Sequence, residues 1–154
     1  MCLRNPEAVP TTFALINEVQ QDPDQVEVLF EPRFVFHPDP SHPTDGEVEK
    51  ASVLFGDPES PYVRFDPYCM DQPEDEATRS AMDYLIRAID ENLTGVALLP
   101  GECLFIDNCR AVDGRSFFQA RFDGTDRWLK RINIARDLRK SRAVRSAPAS
   151  RVIL

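Results

Sequence analysis

Two arginines near the end of the chain, Arg127 and Arg131, carry guanidinium groups, which can bind carboxylates. They stand four residues apart, beside and within the strand that we predict over residues 128–134. Alternate residues of a strand point to the same side of the sheet, so both side chains would lie on one face. A guanidinium can grip a planar carboxylate through two parallel hydrogen bonds. The alternative interpretation is a pair of surface arginines on an edge strand.

Acidic and imidazole side chains offer further chemistry. Asp113 carries a carboxylate, which can ligate a metal ion. Asp66 stands before Pro67, where an aspartate is also typical of a turn. The stretch His37-Pro38-Asp39 has the His-x-Asp spacing of a metal-binding pair, but Pro38 disfavours a strand there. A surface loop over residues 37–47 is therefore the favoured interpretation of that stretch.

One amphipathic helix must cover the core that positions these groups. Residues 74–93 contain no glycine or proline, and an apolar residue recurs at every fourth position from Ala77 to Leu93. The stretch from Asn92 to Gly95 is typical of a helix end.

Short strands account for most of the remaining chain. Ten of the 13 prolines fall within the first 67 residues, which excludes long helices there. One or two short helical turns are predicted within residues 17–30, broken at Asp22-Pro23-Asp24. The predicted strands are residues 11–14, 33–36, 52–55, 62–65, 96–99, 102–106, 119–122 and 128–134. This pattern predicts an α+β fold that is mainly antiparallel β with one covering helix.

The charge distribution bears on the partners. The net charge is −8, yet residues 127–154 hold nine of the 18 basic residues and a single acid, Asp137. An acidic body argues against nucleic acid as a partner, because binding a phosphate backbone needs a basic surface. No apolar run of about 18 residues occurs, so no membrane partner is expected. The first residues contain no apolar signal segment, and a cytoplasmic location is expected.

Several stretches together resemble the clavaminate synthase-like iron(II)/2-oxoglutarate-dependent oxygenases, especially the branch that hydroxylates arginine and related free amino acids. They are CLRNP at residues 2–6, VLFEPRF at 28–34, VLFGDP at 53–58, PYVRFDPY at 61–68, PGECLFIDN at 100–108, RAVDGR at 110–115 and ARFDGTDRWLKR at 120–131. The resemblance covers residues 1–142 and is specific only when these stretches are taken together. We expect residues 143–154 to form a disordered tail.

The resemblance implies a partial double-stranded β-helix, or jelly roll, built around a mononuclear iron. It implies iron(II) and 2-oxoglutarate as cofactors and a small-molecule amino acid as the substrate. In this family the iron is held by an early His-x-Asp/Glu pair and a distal histidine. The early pair lies upstream of the stretch that begins at Cys2, so we expect it to lie outside this chain.

The resemblance also assigns roles to individual residues. Asp113 stands where the family has its distal histidine, which makes it the candidate metal ligand. Arg127, 14 residues later, matches the arginine that holds the distal carboxylate of 2-oxoglutarate. Arg131 matches the residue that binds the α-carboxylate of the substrate, and Asp66 matches the partner of its polar side chain. Tyr68 stands where arginine hydroxylases have a second acid, a departure that weakens the case for arginine itself.

Three functional interpretations follow. The first is an N-terminally incomplete amino-acid oxygenase with little or no turnover on its own. The second is an active site that a complementing chain completes, and the third is a non-catalytic module that binds a small molecule or a partner. Half a jelly roll would expose unpaired strand edges, so self-association or a complementing chain is expected.

Overall fold

Short antiparallel strands make up most of the regular structure. A computed structural model of the chain describes residues 1–19, 22–38 and 48–134, together with residues 137, 139, 142 and 145–147. The strands are β1 (Cys2–Arg4), β2 (Thr11–Leu15), β3 (Phe34–Phe36), β4 (Glu49–Ala51), β5 (Leu54–Asp57), β6 (Ser60–Val63), β7 (Thr94–Val96), β8 (Ala111–Arg115) and β9 (Trp128–Leu129). The helices are α1 (Pro23–Phe30) and α2 (Glu76–Glu91), with short 3-10 turns at Ile16–Glu18 and Pro67–Cys69.

A three-stranded sheet, in the order β7-β2-β8, carries the predicted metal ligand Asp113. Both neighbours run antiparallel to β2, and the register pairs Phe13 with Thr94 on one side and with Asp113 on the other. Three two-stranded pairs, β1-β9, β3-β4 and β5-β6, complete the sheets of the described residues. The predicted α+β, mainly antiparallel fold is confirmed, and it fits a partial jelly roll.

Helix α2 covers the core, as its sequence pattern predicts. Its predicted limits, residues 74–93, differ by two residues at each end. The side chain of Asp75 accepts a hydrogen bond from the backbone N–H of Thr78 at 2.9 Å and so caps the first turn. The helix buries Ala81, Met82, Leu85, Ala88 and Ile89 in one cluster with Ala14 of β2. Burial of a side chain such as Leu85 stabilises the fold by about 1.5–3 kcal/mol.

A second helix joins the predicted one. The sequence Asp22-Pro23-Asp24 is predicted as a break, but it starts α1 instead. The Asp22 carboxylate accepts hydrogen bonds from the N–H groups of Asp24 and Gln25 at 3.2 and 3.4 Å, and Pro23 takes the first helical position. Proline suits that position because its missing N–H would have no partner there. Helix α1 then packs against α2.

The strand predictions fail mainly in the second half of the chain. Residues 102–106 and 119–122 form no strand, and the predicted strand over 128–134 is limited to Trp128–Leu129. Strands β1, β4 and β8 were not predicted. In β8 the residues Asp113 and Gly114 have low strand propensity, and only pairing with β2 makes this segment extended.

The hairpin β5-β6 holds the segment that leads into β8. The backbone N–H of Val63 donates to the carbonyl of Cys109 at 2.8 Å. The Arg110 side chain donates to Ser60 Oγ at 2.9 Å, and its guanidinium lies 5.3 Å from the ring centroid of Tyr62. These contacts fix where β8 begins.

The predicted tail at residues 143–154 lies outside the described residues, apart from 145–147. Of the predicted loop over residues 37–47, only His37 and Pro38 are described. No helix in the described part of the chain is long and apolar enough to cross a membrane.

A buried asparagine ties the β1–β2 connection to the segment after β7. The side-chain amide of Asn5 donates to the carbonyls of Val9 and Leu98 at 3.0 and 3.2 Å, and its oxygen accepts from the N–H of Val9 at 3.0 Å. Asn5 is 9% exposed, so water does not replace these bonds when they are lost.

We predict that Asn5→Ala lowers the free energy of unfolding by about 2–3 kcal/mol, because it leaves buried backbone groups without partners. Urea titration followed by circular dichroism measures this difference. The matched control is Asn133→Ala, which removes an exposed amide and should change stability by about 0.5 kcal/mol or less. Equal effects of the two substitutions would contradict the assignment of Asn5.

Candidate carboxylate and metal site

The central sheet has two faces with different surroundings. In paired antiparallel strands, residues opposite each other point to the same side. Ala14 and Val112 point towards α2 and lie in or against the core. We call the other side the open face. It carries Thr11, Phe13 and Leu15 of β2, Ala111, Asp113 and Arg115 of β8, and Thr94 and Val96 of β7, and of these Ala111 is buried.

Asp113 lies on the open face, opposite Phe13, with its side chain exposed. An iron site of the facial-triad type needs three protein ligands. Within the described residues, no group of three His, Cys, Asp or Glu side chains is placed to hold a metal ion. The described residues therefore do not fit iron by themselves, and Asp113 offers one donor.

Arg127 reaches the same face. Its Nη2 donates to Thr11 Oγ1 at 2.9 Å, and Thr11 stands two residues from Phe13, the partner of Asp113. Its Nε is buried and finds no hydrogen-bond partner among the described residues. A buried donor without an acceptor costs free energy, and a carboxylate oxygen is an acceptor that would satisfy it. The surroundings of Arg127 therefore fit a carboxylate ligand.

The charges around Arg127 favour an anion. Burial lowers the pKa of Arg127 from its ordinary value, and the nearby Arg115 cation lowers it further, while Cys2 acts in the opposite direction. Arg115 stands opposite Thr11 in the register, on the open face. Arginine nevertheless keeps its charge at neutral pH. In the part of the chain that is described, neither arginine forms an ion pair, so a bound anion would offset their repulsion.

An ordered turn before β9 positions Arg127. The carboxylate of Asp126 accepts hydrogen bonds from the backbone N–H groups of Arg121 and Phe122 at 2.9 and 2.7 Å. The Asp126 carbonyl accepts from Arg4 Nε at 3.0 Å. An ion pair between Arg121 and Glu7 anchors the turn to the β1–β2 connection. These contacts fix the backbone at Asp126 and thereby the position of Arg127 next to it.

Arg131 lies apart from this arrangement. Strand β9 ends at Leu129, so the parity that would place Arg131 on the face of Arg127 does not extend to it. Its side chain is exposed, and its Nε donates to Asn133 Oδ1 at 3.3 Å. The predicted role in binding a substrate carboxylate stays a prediction.

Asp66 follows β6 and serves a turn. Its carboxylate accepts a hydrogen bond from the backbone N–H of Tyr68 at 3.1 Å and caps the short 3-10 turn. In the described residues, no hydrogen bond or ion pair links it to Asp113, Arg127 or Arg131. Asp66 therefore caps a turn with one carboxylate oxygen, and its other oxygen can accept a hydrogen bond from a ligand.

Of the alternative metal-binding pair, His37 and Asp39, only His37 lies in the described residues. His37 Nε2 lies 2.7 Å from Asp71 Oδ1, at an exposed position. Asp39 and His42 lie outside the described residues.

No family model matches the chain. An enduracididine β-hydroxylase of Streptomyces hygroscopicus is 42% identical over 99% of the chain and 52% of its own length. An L-ornithine/L-arginine 3-hydroxylase of Catenulispora acidiphila is 39% identical over the same shares. The solved non-heme iron oxygenase OrfP, in complex with Fe and α-ketoglutaric acid, superposes with a TM-score of 0.87 and 44% identity over 99% of this chain and 48% of that one.

The chain belongs to the clavaminate synthase-like iron(II)/2-oxoglutarate oxygenases. Clavaminate synthase 2 of Streptomyces clavuligerus itself is 39% identical over 60% of the chain. The chain spans about half the length of the relatives that it matches over almost its whole length, and the match lies in their C-terminal half.

The sequence analysis missed two residues of the candidate site. Thr11 holds the guanidinium of Arg127, and Arg115 adds charge beside it. Arg115 has the same strand parity as Asp113, so a prediction of β8 would have found it. Thr11 gave no such signal, because its contact with Arg127 spans 116 positions of the chain.

We predict that phenylglyoxal modifies Arg131 faster than Arg127, because Arg127 is half-buried and bonded to Thr11. Peptide mass spectrometry over a time course measures both rates, with the exposed helical Arg87 as a control that should follow Arg131. Thr11→Val should accelerate the modification of Arg127 alone. Equal rates for Arg127 and Arg131 in the wild-type chain would contradict the site geometry.

Proposed function

We propose that this chain provides the carboxylate-binding side of an iron(II)/2-oxoglutarate-dependent site that oxidises a free amino acid. The observation that carries the proposal is the buried, unpartnered Nε of Arg127 on the face that also presents Asp113. Its relatives support the reaction class, since they are amino-acid hydroxylases and an iron oxygenase solved with α-ketoglutaric acid.

Arg127 is the residue that we assign to the distal carboxylate of 2-oxoglutarate. Thr11 holds one end of the guanidinium and fixes its plane, while the buried Nε–H has no acceptor among the described residues. A hydrogen bond between two ionised groups is about twice as strong as a neutral one, and partial burial strengthens it further. Arg115 adds a second positive charge close by.

Asp113 is the residue that we assign to the metal. Iron with 2-oxoglutarate supplies the oxidising power for hydrogen removal from an unactivated carbon. The described residues offer no group of three ligands, so they do not hold the metal by themselves. What the chain does contribute is a fixed carboxylate on the face where Arg127 orients the co-substrate.

The substrate that we propose is an amino acid with a cationic side chain. Arg131 would hold its α-carboxylate, exchanging a long hydrogen bond to Asn133 for a charged one. Asp66 would attract the side-chain cation while continuing to cap its turn. Several relatives are described as acting on basic amino acids, namely ornithine, arginine and lysine. Tyr68 is exposed and stands in place of a second acid, so we expect a cation that needs only one carboxylate partner and not a guanidinium.

A second candidate function is a binding module without turnover. It is favoured by Asp113, which replaces the neutral imidazole that the family places there with a hard anion. Both candidates keep the Arg127 pocket, so binding of 2-oxoglutarate supports either one. Metal binding separates them, because only the oxygenase requires iron(II) that is retained after anaerobic dialysis and lost in Asp113→Ala.

We predict that Arg127→Ala weakens 2-oxoglutarate binding about 10- to 100-fold, which corresponds to the roughly 1.5–3 kcal/mol of a hydrogen bond to a charged group. Isothermal titration of the chain with 2-oxoglutarate measures the dissociation constant. Arg87→Ala, which removes an equally charged side chain from the outer surface of α2, should leave it unchanged. A dissociation constant that is the same in Arg127→Ala as in the wild type would refute the assignment.

A different substitution separates the two roles of Asp66. Asp66→Asn keeps an oxygen that caps the turn but removes the charge, so the melting temperature should hold while affinity for L-ornithine falls about two- to fivefold, as for an exposed ion pair. L-Norvaline, which lacks the side-chain cation, is the matched ligand and should bind both proteins equally. If ornithine affinity does not change, Asp66 serves the turn alone.

A further inference from the structure

We propose that Arg115 is a specificity-determining residue of the carboxylate site. Together with Arg127 it selects the co-substrate by the charge at the end of the molecule that Arg127 binds. A 2-oxo acid with a second carboxylate is then preferred over a 2-oxo acid of equal length that ends in a methyl group. This inference deepens the proposed function and rests on it, because it takes Arg127 as the residue that binds the distal carboxylate.

The sheet register places Arg115 beside the residue that holds Arg127. Arg115 of β8 stands opposite Thr11 of β2, and Thr11 Oγ1 accepts the hydrogen bond from Arg127 Nη2 at 2.9 Å. Side chains opposite each other in antiparallel strands lie on one face, with their Cβ atoms about 4.5–5.5 Å apart. The two arginines therefore flank the same threonine, one as its strand partner and the other as its hydrogen-bond donor.

The backbone of Arg115 is held on both sides. Pairing with β2 runs without a break from Ala111 to Arg115. The N–H of Ser116 then donates to the carbonyl of Pro10 at 3.4 Å, which continues the contact one residue further. The side chain of Arg115 is exposed. Its guanidinium thus starts from a fixed point of the sheet and reaches solvent, from which a small ligand arrives.

The charges of the two arginines are not neutralised by the acids around them. Among the described residues, neither arginine forms an ion pair, and this includes Asp113 on the same face. The carboxylate of Asp126, next to Arg127, accepts from two backbone N–H groups of its own turn instead. Burial lowers the pKa of Arg127, and the Arg115 cation lowers it further, as expected for a repulsion that no counter-charge relieves.

Two such cations distinguish ligands by their charge. A carboxylate relieves the repulsion, whereas a methyl group displaces water from both cations and offers nothing in return. Arg127 supplies the directed hydrogen bond, since its Nε–H is buried and has no acceptor in the described part of the chain. Arg115 contributes through its charge, because an exposed guanidinium is solvated and acts over a distance that salt limits.

The test compares two ligands on the full 154-residue chain by isothermal titration. The ligands are 2-oxoglutarate and 2-oxopentanoate, which has the same carbon chain with a methyl group in place of the distal carboxylate. Arg115→Gln should weaken 2-oxoglutarate about two- to fivefold, the size expected for an exposed charge, and leave 2-oxopentanoate unchanged. Arg115→Lys keeps the charge and should restore the preference. Arg87→Gln, which removes an exposed cation from α2, is the matched control.

The salt dependence of the affinity is a second readout, which a merely structural role of Arg115 does not change. Attraction between exposed charges weakens as the ionic strength rises. The dissociation constant of 2-oxoglutarate should therefore rise less steeply with sodium chloride in Arg115→Gln than in the wild type or in Arg87→Gln. Circular dichroism of each variant measures whether the fold is retained.

The results separate this inference from the proposed function. If Arg127→Ala weakens 2-oxoglutarate but Arg115→Gln changes neither the ligand preference nor the salt dependence, the role of Arg127 stands and that of Arg115 is wrong. Equal weakening of both ligands by Arg115→Gln, or a failure of Arg115→Lys to restore the preference, also overturns the inference. An unchanged affinity in Arg127→Ala is the result that refutes the proposed function, whatever Arg115→Gln does.

Discussion

The hydrogen bond from Arg127 to Thr11 determines the geometry of the candidate site. It joins the segment before β9 to the central strand β2, 116 positions earlier in the chain, and brings a guanidinium over the face that presents Asp113. Everything proposed for the function depends on this placement. Without it Arg127 would be a surface arginine, and the buried Nε that fits a carboxylate would not exist.

Neighbouring contacts hold the two segments that this hydrogen bond joins. Asp126 folds the turn before Arg127, Arg4 holds the backbone of that turn, and Asn5 anchors the connection that leads into β2. The opposite face of the sheet is held by the apolar stripe of α2. A site on rigid elements with such support is positioned more tightly than one on a mobile loop. The contacts that position Arg127 all lie within the described residues of this chain.

The sequence patterns predicted the elements whose signals are local. Helix α2 follows from a four-residue apolar period, and β2 from a short run of threonine and apolar residues. They failed where extended structure depends on a distant partner: β8 contains Asp113 and Gly114 and is a strand because β2 lies beside it. The shared face predicted for Arg127 and Arg131 assumed seven continuous strand residues, but the partner strand β1 is three residues long and β9 ends at Leu129.

The same division applies to the site residues. Asp113 and Arg127 were selected because the resemblance is densest in the stretches that contain them, and their roles stay predictions. Arg115 was not selected, since its contribution is a charge that becomes apparent only when Thr11 and Arg127 are brought beside it. Whether a carboxylate such as Asp66 binds a ligand or caps a turn is also a matter of geometry, and here the structure shows the cap.

The most direct test of the central claim is the side-chain Nε–Hε resonance of Arg127 in a nitrogen-15 NMR spectrum during titration with 2-oxoglutarate. A carboxylate that accepts from Nε should move this resonance downfield, slow its exchange with water, and leave the resonance of exposed Arg87 in place. A titration in which the Arg127 resonance stays fixed while 2-oxoglutarate binds would contradict the claim that this guanidinium holds the co-substrate.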